Sequence, residues 1–186
     1  MNTPQVQYAV VGDRGILKLG GAIRHPLSQR LSRAARLLFF GTGIRSVIVD
    51  LQEANFIDST CLGLLARVGL HCLELGFDPP IIVSTQKDVT RLLRTTGFDR
   101  AFILVENPSQ YAAAFANAGD LPGDPPRLDP QLVLDAHRAL CEMNENNAHL
   151  FRNVIEVLES DLVGEDWIDP ALHSPGASGS FRHEAR

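Results

Sequence analysis

No stretch of the 186 residues approaches the ~18–20 consecutive apolar residues that span a bilayer. The start, Met1-Asn2-Thr3-Pro4-Gln5, also lacks the basic residues and following apolar run of a secretory signal, so a cytoplasmic protein is expected. Cysteine is scarce: three residues, an odd count in no metal-like spacing, suit a reducing compartment rather than a disulfide framework. If Cys61 and Cys72 share a helix, they lie on one face but ~16 Å apart, too far to bridge. Excess positive charge is missing as well. The formal net charge of −5 argues against a duplex-DNA or RNA binder, whose affinity rests on lysine and arginine contacts to phosphate. There is no glycine-rich phosphate loop of either common type. His137, His149, His173 and His183 lack close metal-ligand spacing, and His25 and His71 read as surface or partly buried residues. No nucleic acid, membrane, metal or cofactor is therefore expected, and the partners should be proteins or small molecules.

What is present is ordinary core material. Apolar residues make up 45% and charged residues 21%, enough to bury a sizeable core. At ~100–200 residues per domain the length suits one globular domain with an appendage. Charge divides the chain at Gly119-Asp120-Leu121-Pro122-Gly123-Asp124-Pro125-Pro126, a linker-like cluster of Pro, Gly and Asp. Residues 1–118 carry 12 Lys/Arg against 9 Asp/Glu, a net of +3, and residues 119–186 carry 5 against 13, a net of −8. The division expected is a domain over 1–118, a linker over 119–128, an acidic helical extension over 129–163 and a flexible tail over 164–186.

Within the first part, Val6 to Val11 and Ile16 to Leu19 flank Gly12-Asp13-Arg14-Gly15 and read as a β-hairpin. Pro26 can open a helix in which Leu27, Leu31, Ala34, Ala35, Leu38 and Phe39 recur at helical spacing up to Gly41. Ser46 to Leu51 is a β-branched run typical of a strand buried on both faces, followed by a loop to Asp58. Leu62, Leu65, Ala66, Gly69, Leu70 and Leu73 then mark a helix that stops near Gly76. Pro80 to Ser84 is a strand, Lys87 to Thr96 a helix closed by Gly97, Phe102 to Val105 a strand, and Pro108 opens a helix to about Asn117. Strands alternating with helices predict an α/β sandwich.

Beyond the linker, Asp129-Pro130 is an N-cap followed by proline at the first helical position. Val133, Ala136, Leu140, Met143, Leu150, Val154 and Val157 follow heptad spacing, with Asn147 at a core-type site and Phe151, Ile155 and Leu158 widening the stripe. Two readings stand: helices packed on the domain, or an oligomerisation or partner-docking helix that would make a homodimer through the C-terminal helices. Asn144 to Asn147 is also a candidate turn, which would give a helical hairpin. In the tail, Trp167-Ile168 among acidic residues is either a short binding motif or a segment that docks on the parent domain.

The segment with chemical content is Asn55-Phe56-Ile57-Asp58-Ser59-Thr60-Cys61-Leu62-Gly63. Asp58 suits an N-cap and places Ser59 and Thr60 in the first helical turn, where free N–H groups and the helix dipole tolerate a negative group. A phosphate on Ser59 would add nearly two negative charges beside Asp58 on an exposed corner, breaking an interface without unfolding the domain. The plainer reading is a helix cap alone.

The order hairpin, helix, strand ending in Asp50-Leu51, Phe56-Ile57-Asp58-Ser59-Thr60-x-Leu62-Gly63, then a strand and a helix ending in Thr96-Gly97-Phe98, resembles the STAS domain of bacterial anti-sigma factor antagonists over about residues 5–118. The resemblance implies a mixed central sheet with about four helices, mainly on one face, and a non-enzymatic switch in bacterial transcription or in stress or motility signalling, with Ser59 phosphorylated by a serine-kinase anti-sigma factor and Thr60 a second candidate. It implies a PP2C-type phosphatase that resets the switch. It further implies a partner surface of Asp58, Ser59 and Thr60 together with the segment before the first helix, Gly21-Ala22-Ile23-Arg24, of which Ile23 and Arg24 are the candidate contacts. Two departures stand out: Cys61 where the family often has Gly, and Gly21-Ala22-Ile23-Arg24 where it has an acidic Gly-Glu-Leu-Asp-like segment, which changes the charge offered to a partner.

Three rival readings remain on the residues. Cys61 and Arg67 have the Cys-x5-Arg spacing of a cysteine-dependent phosphatase, but Leu62-Gly63-Leu64-Leu65-Ala66 between them has the apolar content of a core helix. A Ser-His-Asp hydrolase would need Ser59 on an elbow between glycines, and positions 57 and 61 are Ile and Cys. A STAS-like scaffold in which Ser59 is never modified is the third.

Overall fold

The computed structural model describes residues 3–40, 43–121 and 129–165. The chain opens with β1 (Gln5–Val11) and β2 (Arg14–Ile23) as an antiparallel hairpin. Val11 pairs with Arg14, so only Gly12 and Asp13 make the turn, and Gly12 supplies the positive φ of 63° that such tight loops favour. A 3₁₀ turn over His25–Leu27 leads into α1 (Ser28–Phe39), then β3 (Ser46–Ile57) and α2 (Ser59–Glu74). β4 (Ile81–Val83), α3 (Lys87–Thr95), a second 3₁₀ turn over Phe98–Arg100 and β5 (Ile103–Val105) follow. The rest is α4 (Ala112–Phe115), β6 (Gly119–Asp120), α5 (Pro130–Met143) and α6 (Glu145–Glu165).

The six strands form one mixed sheet in the order β5-β4-β3-β2-β1-β6. β2, β3, β4 and β5 pair in parallel, while β1 is antiparallel to both of its neighbours. Alternation along the strands sends Leu17, Leu19, Val47, Val49, Leu51 and Ile82 to one face, where they share a core with α1, α2, α3 and α5. Ile16, Ile48 and Val83 point to the other face, covered by Phe115 of α4 with Tyr111, Ala114 and Ala118 around it. The helices therefore lie mainly on one face, as the family resemblance implies. No helix among the described residues is long and apolar enough to cross a membrane.

Four local expectations change. Proline at 26 begins a 3₁₀ turn, and the α-helix proper starts at Ser28. The predicted loop after Leu51 is strand as far as Ile57, because β2 continues alongside it through two irregularities and pairs Ala22 with Phe56 and Ile23 with Ile57. The helix predicted from Pro108 shrinks to Ala112–Phe115, since the Asn107 side chain accepts from the Ser109 backbone N–H (3.1 Å) and hydroxyl (2.7 Å), holding the chain in a turn. Gly119–Asp120, expected as linker, is a short edge strand on β1, where Gln7 Nε2 also donates to Asp120 Oδ1 at 3.2 Å. Beyond it, residues 122–128 lie outside the described part of the chain.

The C-terminal helices form a hairpin packed on the domain. Asp129 caps α5 by accepting from Gln131 N (2.9 Å), Pro130 occupies the first position, and the helix breaks at Asn144. The tail expected from 164 and its Trp167-Ile168 motif fall outside the described residues, apart from the end of α6 at Glu165.

Candidate functional site

The parallel pairing of β2 with β3 delivers the end of one strand beside the end of the other, and Asp58 binds the two together. Its backbone N–H donates to the Ile23 carbonyl at 3.0 Å. Its carboxylate accepts from Cys61 N at 2.9 Å through Oδ1, the helix-capping bond, and from His25 N through Oδ2. One side chain thus caps α2 and ties down the segment entering α1, so the start of α2 cannot move without the end of β2.

Of the residues expected to meet a partner, Asp58, Ser59 and Arg24 share this corner. Arg24 is exposed and its guanidinium lies 4.3 Å from the ring centroid of Phe56, which is itself exposed. Ile23 is a correction: its side chain is fully buried in the core, because that end of β2 still pairs with β3, and it offers a partner no surface. Thr60 points inward and is 6% exposed, so it presents no hydroxyl for modification in this conformation.

Ser59, the first residue of α2, is partly buried, and its Oγ lies 3.0 Å from Nε2 of His137 on α5. The other ring nitrogen of His137 sits 2.8 Å from the Val133 carbonyl. A carbonyl only accepts, so Nδ1 carries a proton, and in the neutral ring the Ser59 hydroxyl then donates to Nε2. His137 is 3% exposed and meets Phe151 of α6 edge-on at 5.6 Å. Reading the sequence missed this partner. The usable signal was position: His137 lies four residues after Val133 and three before Leu140, inside the apolar stripe.

The rest of α5 packs on the same helix. A Cβ at Gly63 would come within 2.1 Å of the Ala136 carbonyl oxygen, so the α2 and α5 backbones nearly touch and only glycine fits. Leu132, Ala136, Ala139, Leu140 and Met143 join the main core. Further along, buried Asn147 donates through Nδ2 to the carbonyls of Thr96 (3.0 Å) and Leu140 (2.7 Å), fastening the α5–α6 turn to the end of α3. Arg67 of α2 reaches Asp135 at 3.6 Å across the surface.

Chemistry at cysteine finds no support here. Cys61 is fully buried, and burial together with the neighbouring Asp58 carboxylate pushes its thiol well above the ordinary range. Arg67 faces Asp135 instead of a phosphate cradle. Ser59, His137 and the Val133 carbonyl form a hydrogen-bonded chain like part of a hydrolase relay, yet the groove of about 700 Å³ between α1, α2 and α5 does not reach it. That groove is lined by residues such as Phe39, Phe40, Leu64, Arg67 and Arg138, and by neither Ser59 nor His137. Among the described residues, no group of three His, Cys, Asp or Glu side chains could hold a metal ion.

Comparison with known proteins gives a match of residues 5–112 to the STAS domain family. Among solved structures, the chain is similar to the anti-sigma factor antagonist SpoIIAA in its unphosphorylated form, with 17% identity over 60% of this chain and 97% of that one and a TM-score of 0.48. It is similar also to the Bacillus cell fate determinant SpoIIAA in the phosphorylated form, with 13% identity over 59% of this chain and 99% of that one and a TM-score of 0.48. An anti-sigma factor antagonist from Mycobacterium paratuberculosis matches at 18% identity over 61% of this chain and 93% of that one, with a TM-score of 0.47. The family match ends at residue 112, before the α5–α6 hairpin.

Proposed function

The chain belongs to the STAS-domain family, and from that membership we propose that it is an anti-sigma factor antagonist, a cytoplasmic binding protein whose grip on its partner is controlled by phosphorylation of Ser59. The partner is an anti-sigma factor or related serine-kinase regulator in bacterial transcription or in stress or motility signalling, with a PP2C-type phosphatase to reverse the modification. The STAS part ends near residue 118, and 129–163 is an extension added to it. The observation that carries the reading is Ser59 itself: a hydroxyl on the first residue of α2, directly after an N-cap whose carboxylate is already satisfied twice. A phosphate there adds nearly two negative charges at the positive end of a helix, which the fold tolerates and a bound partner does not. Arg24 and the first turn of α2 complete the contact surface, and Thr60 serves as acceptor only if that turn loosens.

Intact mass of the protein from its native cells, or after co-expression with candidate serine kinases, is expected to show one added phosphate of ~80 Da that disappears in Ser59→Ala. Ser59→Asp should bind the partner more weakly than Ser59→Ala. Equal binding by the two variants would sink the switch.

One observation favours a second reading, a STAS scaffold not controlled by phosphorylation: the Ser59 hydroxyl is already engaged by His137. Unmodified protein from native cells under every condition tested would point to it. A homodimer through the C-terminal helices draws support from Leu150, Val154 and Val157, an exposed apolar row on α6, and light scattering of wild type against Leu150→Glu would test it.

A further inference from the structure

We propose that the groove between α1, α2 and α5 is a docking site for the acidic, aromatic segment Glu165-Asp166-Trp167-Ile168-Asp169 of this same chain, with the Trp167 indole on its apolar floor and the flanking carboxylates on its arginine rim. Neither Ser59 nor His137 lines that groove, so this docking stands apart from any modification of Ser59.

The groove combines two chemistries. Its floor is apolar, with Phe39 of α1 and Leu64 and Val68 of α2, and Phe40 stands at its edge with 88% of its surface exposed. Its rim is basic: Arg36 from α1, Arg67 from α2 and Arg138 from α5 all reach it. Two of the carboxylates at that rim are engaged by neighbours. Asp135 lies 3.6 Å from Arg67 and 4.0 Å from Arg138, and Glu74 lies 3.1 Å from His71. Arg36 is exposed and has no ion-pair partner among the described residues, on a helix that carries three arginines and no acidic residue. What fits such a groove is a large planar apolar side chain flanked by carboxylates, since aromatic side chains set in an apolar pocket and arginines dominate binding energy.

The chain supplies that pattern close by. Trp167-Ile168 stands between Glu165-Asp166 and Asp169, and Trp167 is the only tryptophan. α6 brings this segment to the groove, because Glu159 already meets the rim through Arg138 at 2.8 Å. From Glu159 to the last helical residue, Glu165, α6 rises ~9 Å, and two more residues add at most ~7 Å, so the chain path from the rim contact to Trp167 is no longer than ~16 Å. A segment tethered this closely meets the groove at roughly millimolar effective concentration, which a second copy or a separate partner in dilute solution does not reach. An indole buries roughly 150–250 Å², and a groove of about 700 Å³ has room for it together with the Ile168 side chain. Docking links the end of α6 to α1 and covers Phe40, fastening the hairpin to the domain at a point separate from Asn147.

The test is tryptophan fluorescence on the full chain, which reports this segment alone. Acrylamide quenching is compared between native protein and the same protein unfolded in urea, for wild type, Phe40→Asp, Arg36→Glu and the double variant. Both substituted side chains are exposed and outside the core, and far-UV circular dichroism verifies that each variant is folded. If Phe40→Asp disturbs the fold, the charge reversal at Arg36 carries the test. Native wild type is expected to be quenched about threefold or more less efficiently than the unfolded chain, equally at ~50 μM and ~0.5 μM, because the burial is intramolecular. Each single variant should recover part of the lost quenching, and the double variant should come within about 30% of the unfolded value. Native wild type quenched as readily as the unfolded chain would overturn the proposal, leaving the groove to another occupant. So would protection that the groove variants leave intact, which assigns Trp167 to a different surface, and protection that fades on dilution, which assigns it to a second copy.

Discussion

A single apolar stripe runs from Val133 through Leu140 and Asn147 to Val157, and its two halves meet opposite fates. On α5 it is buried: Ala136 and Leu140 are inaccessible and Met143 nearly so. On α6 the same register leaves Leu150 69% and Val157 59% exposed, and the helix instead turns Phe151, Ile155 and Leu158 inward. The difference comes from what each helix lies against. α5 lies between α2 and α6, whereas α6 packs mainly on α5, with its start fastened to the end of α3 through Asn147. Heptad spacing states that a face is apolar; it does not state whether anything covers it.

The widest contrast should come from truncating the stripe at its buried centre. Leu140→Ala is expected to destabilise the protein by about 2–5 kcal/mol in urea unfolding, the range for emptying a packed leucine site. A loss below about 1 kcal/mol would mean that α5 is not part of the cooperative core. Next in size is the pair of helix caps. Asp58→Ala removes both the α2 cap and the bond to His25 N and should cost about 1–2 kcal/mol, while Asp129→Ala removes one exposed cap bond and should cost about 0.5–1 kcal/mol. Equal losses would show that the second bond of Asp58 contributes nothing.

Thiol labelling sharpens the same comparison without altering the core. Burial pushes the Cys72 thiol up to about 12, and Cys61 is raised further by the Asp58 carboxylate. A raised thiol value keeps the unreactive protonated form, so at pH 8 iodoacetamide should label the partly exposed Cys141 well before either. Early labelling of Cys61 would mean that α2 opens readily. The smallest effect belongs to the exposed half of the stripe. Val157→Ala should change monomer stability by no more than about 0.5 kcal/mol, and a larger concentration-dependent loss would mean that a second copy covers it.

Much of this was legible along the chain. The β-branched run at Ser46 to Leu51 is the central strand, and Asp58 is the cap it was expected to be. Asp129-Pro130 opens α5, and of the candidate turn at Asn144 to Asn147 only Asn144 breaks the helix, since α6 starts at Glu145. Those features are local, decided by residues a few positions apart. The misses share a different cause. Gly119–Asp120 becomes strand only because β1 is beside it, and Asn55 to Ile57 stays strand only because β2 extends to meet it. Neither segment carries a strand pattern of its own. Ile23 was expected to face a partner because the family's contact surface includes the segment before the first helix, but a strand alternates, and its turn falls inward.

By itself the sequence determined the order of elements, the family-like motif at Asp58-Ser59-Thr60 and the division of charge between the two parts, since period, capping chemistry and composition are written within short windows. Tertiary structure alone decided that the acidic extension lies on α2 and that His137, 78 positions along the chain, meets Ser59. That contact depends on a glycine on one helix facing an alanine on another, a match of shapes between segments with no periodic relation to each other.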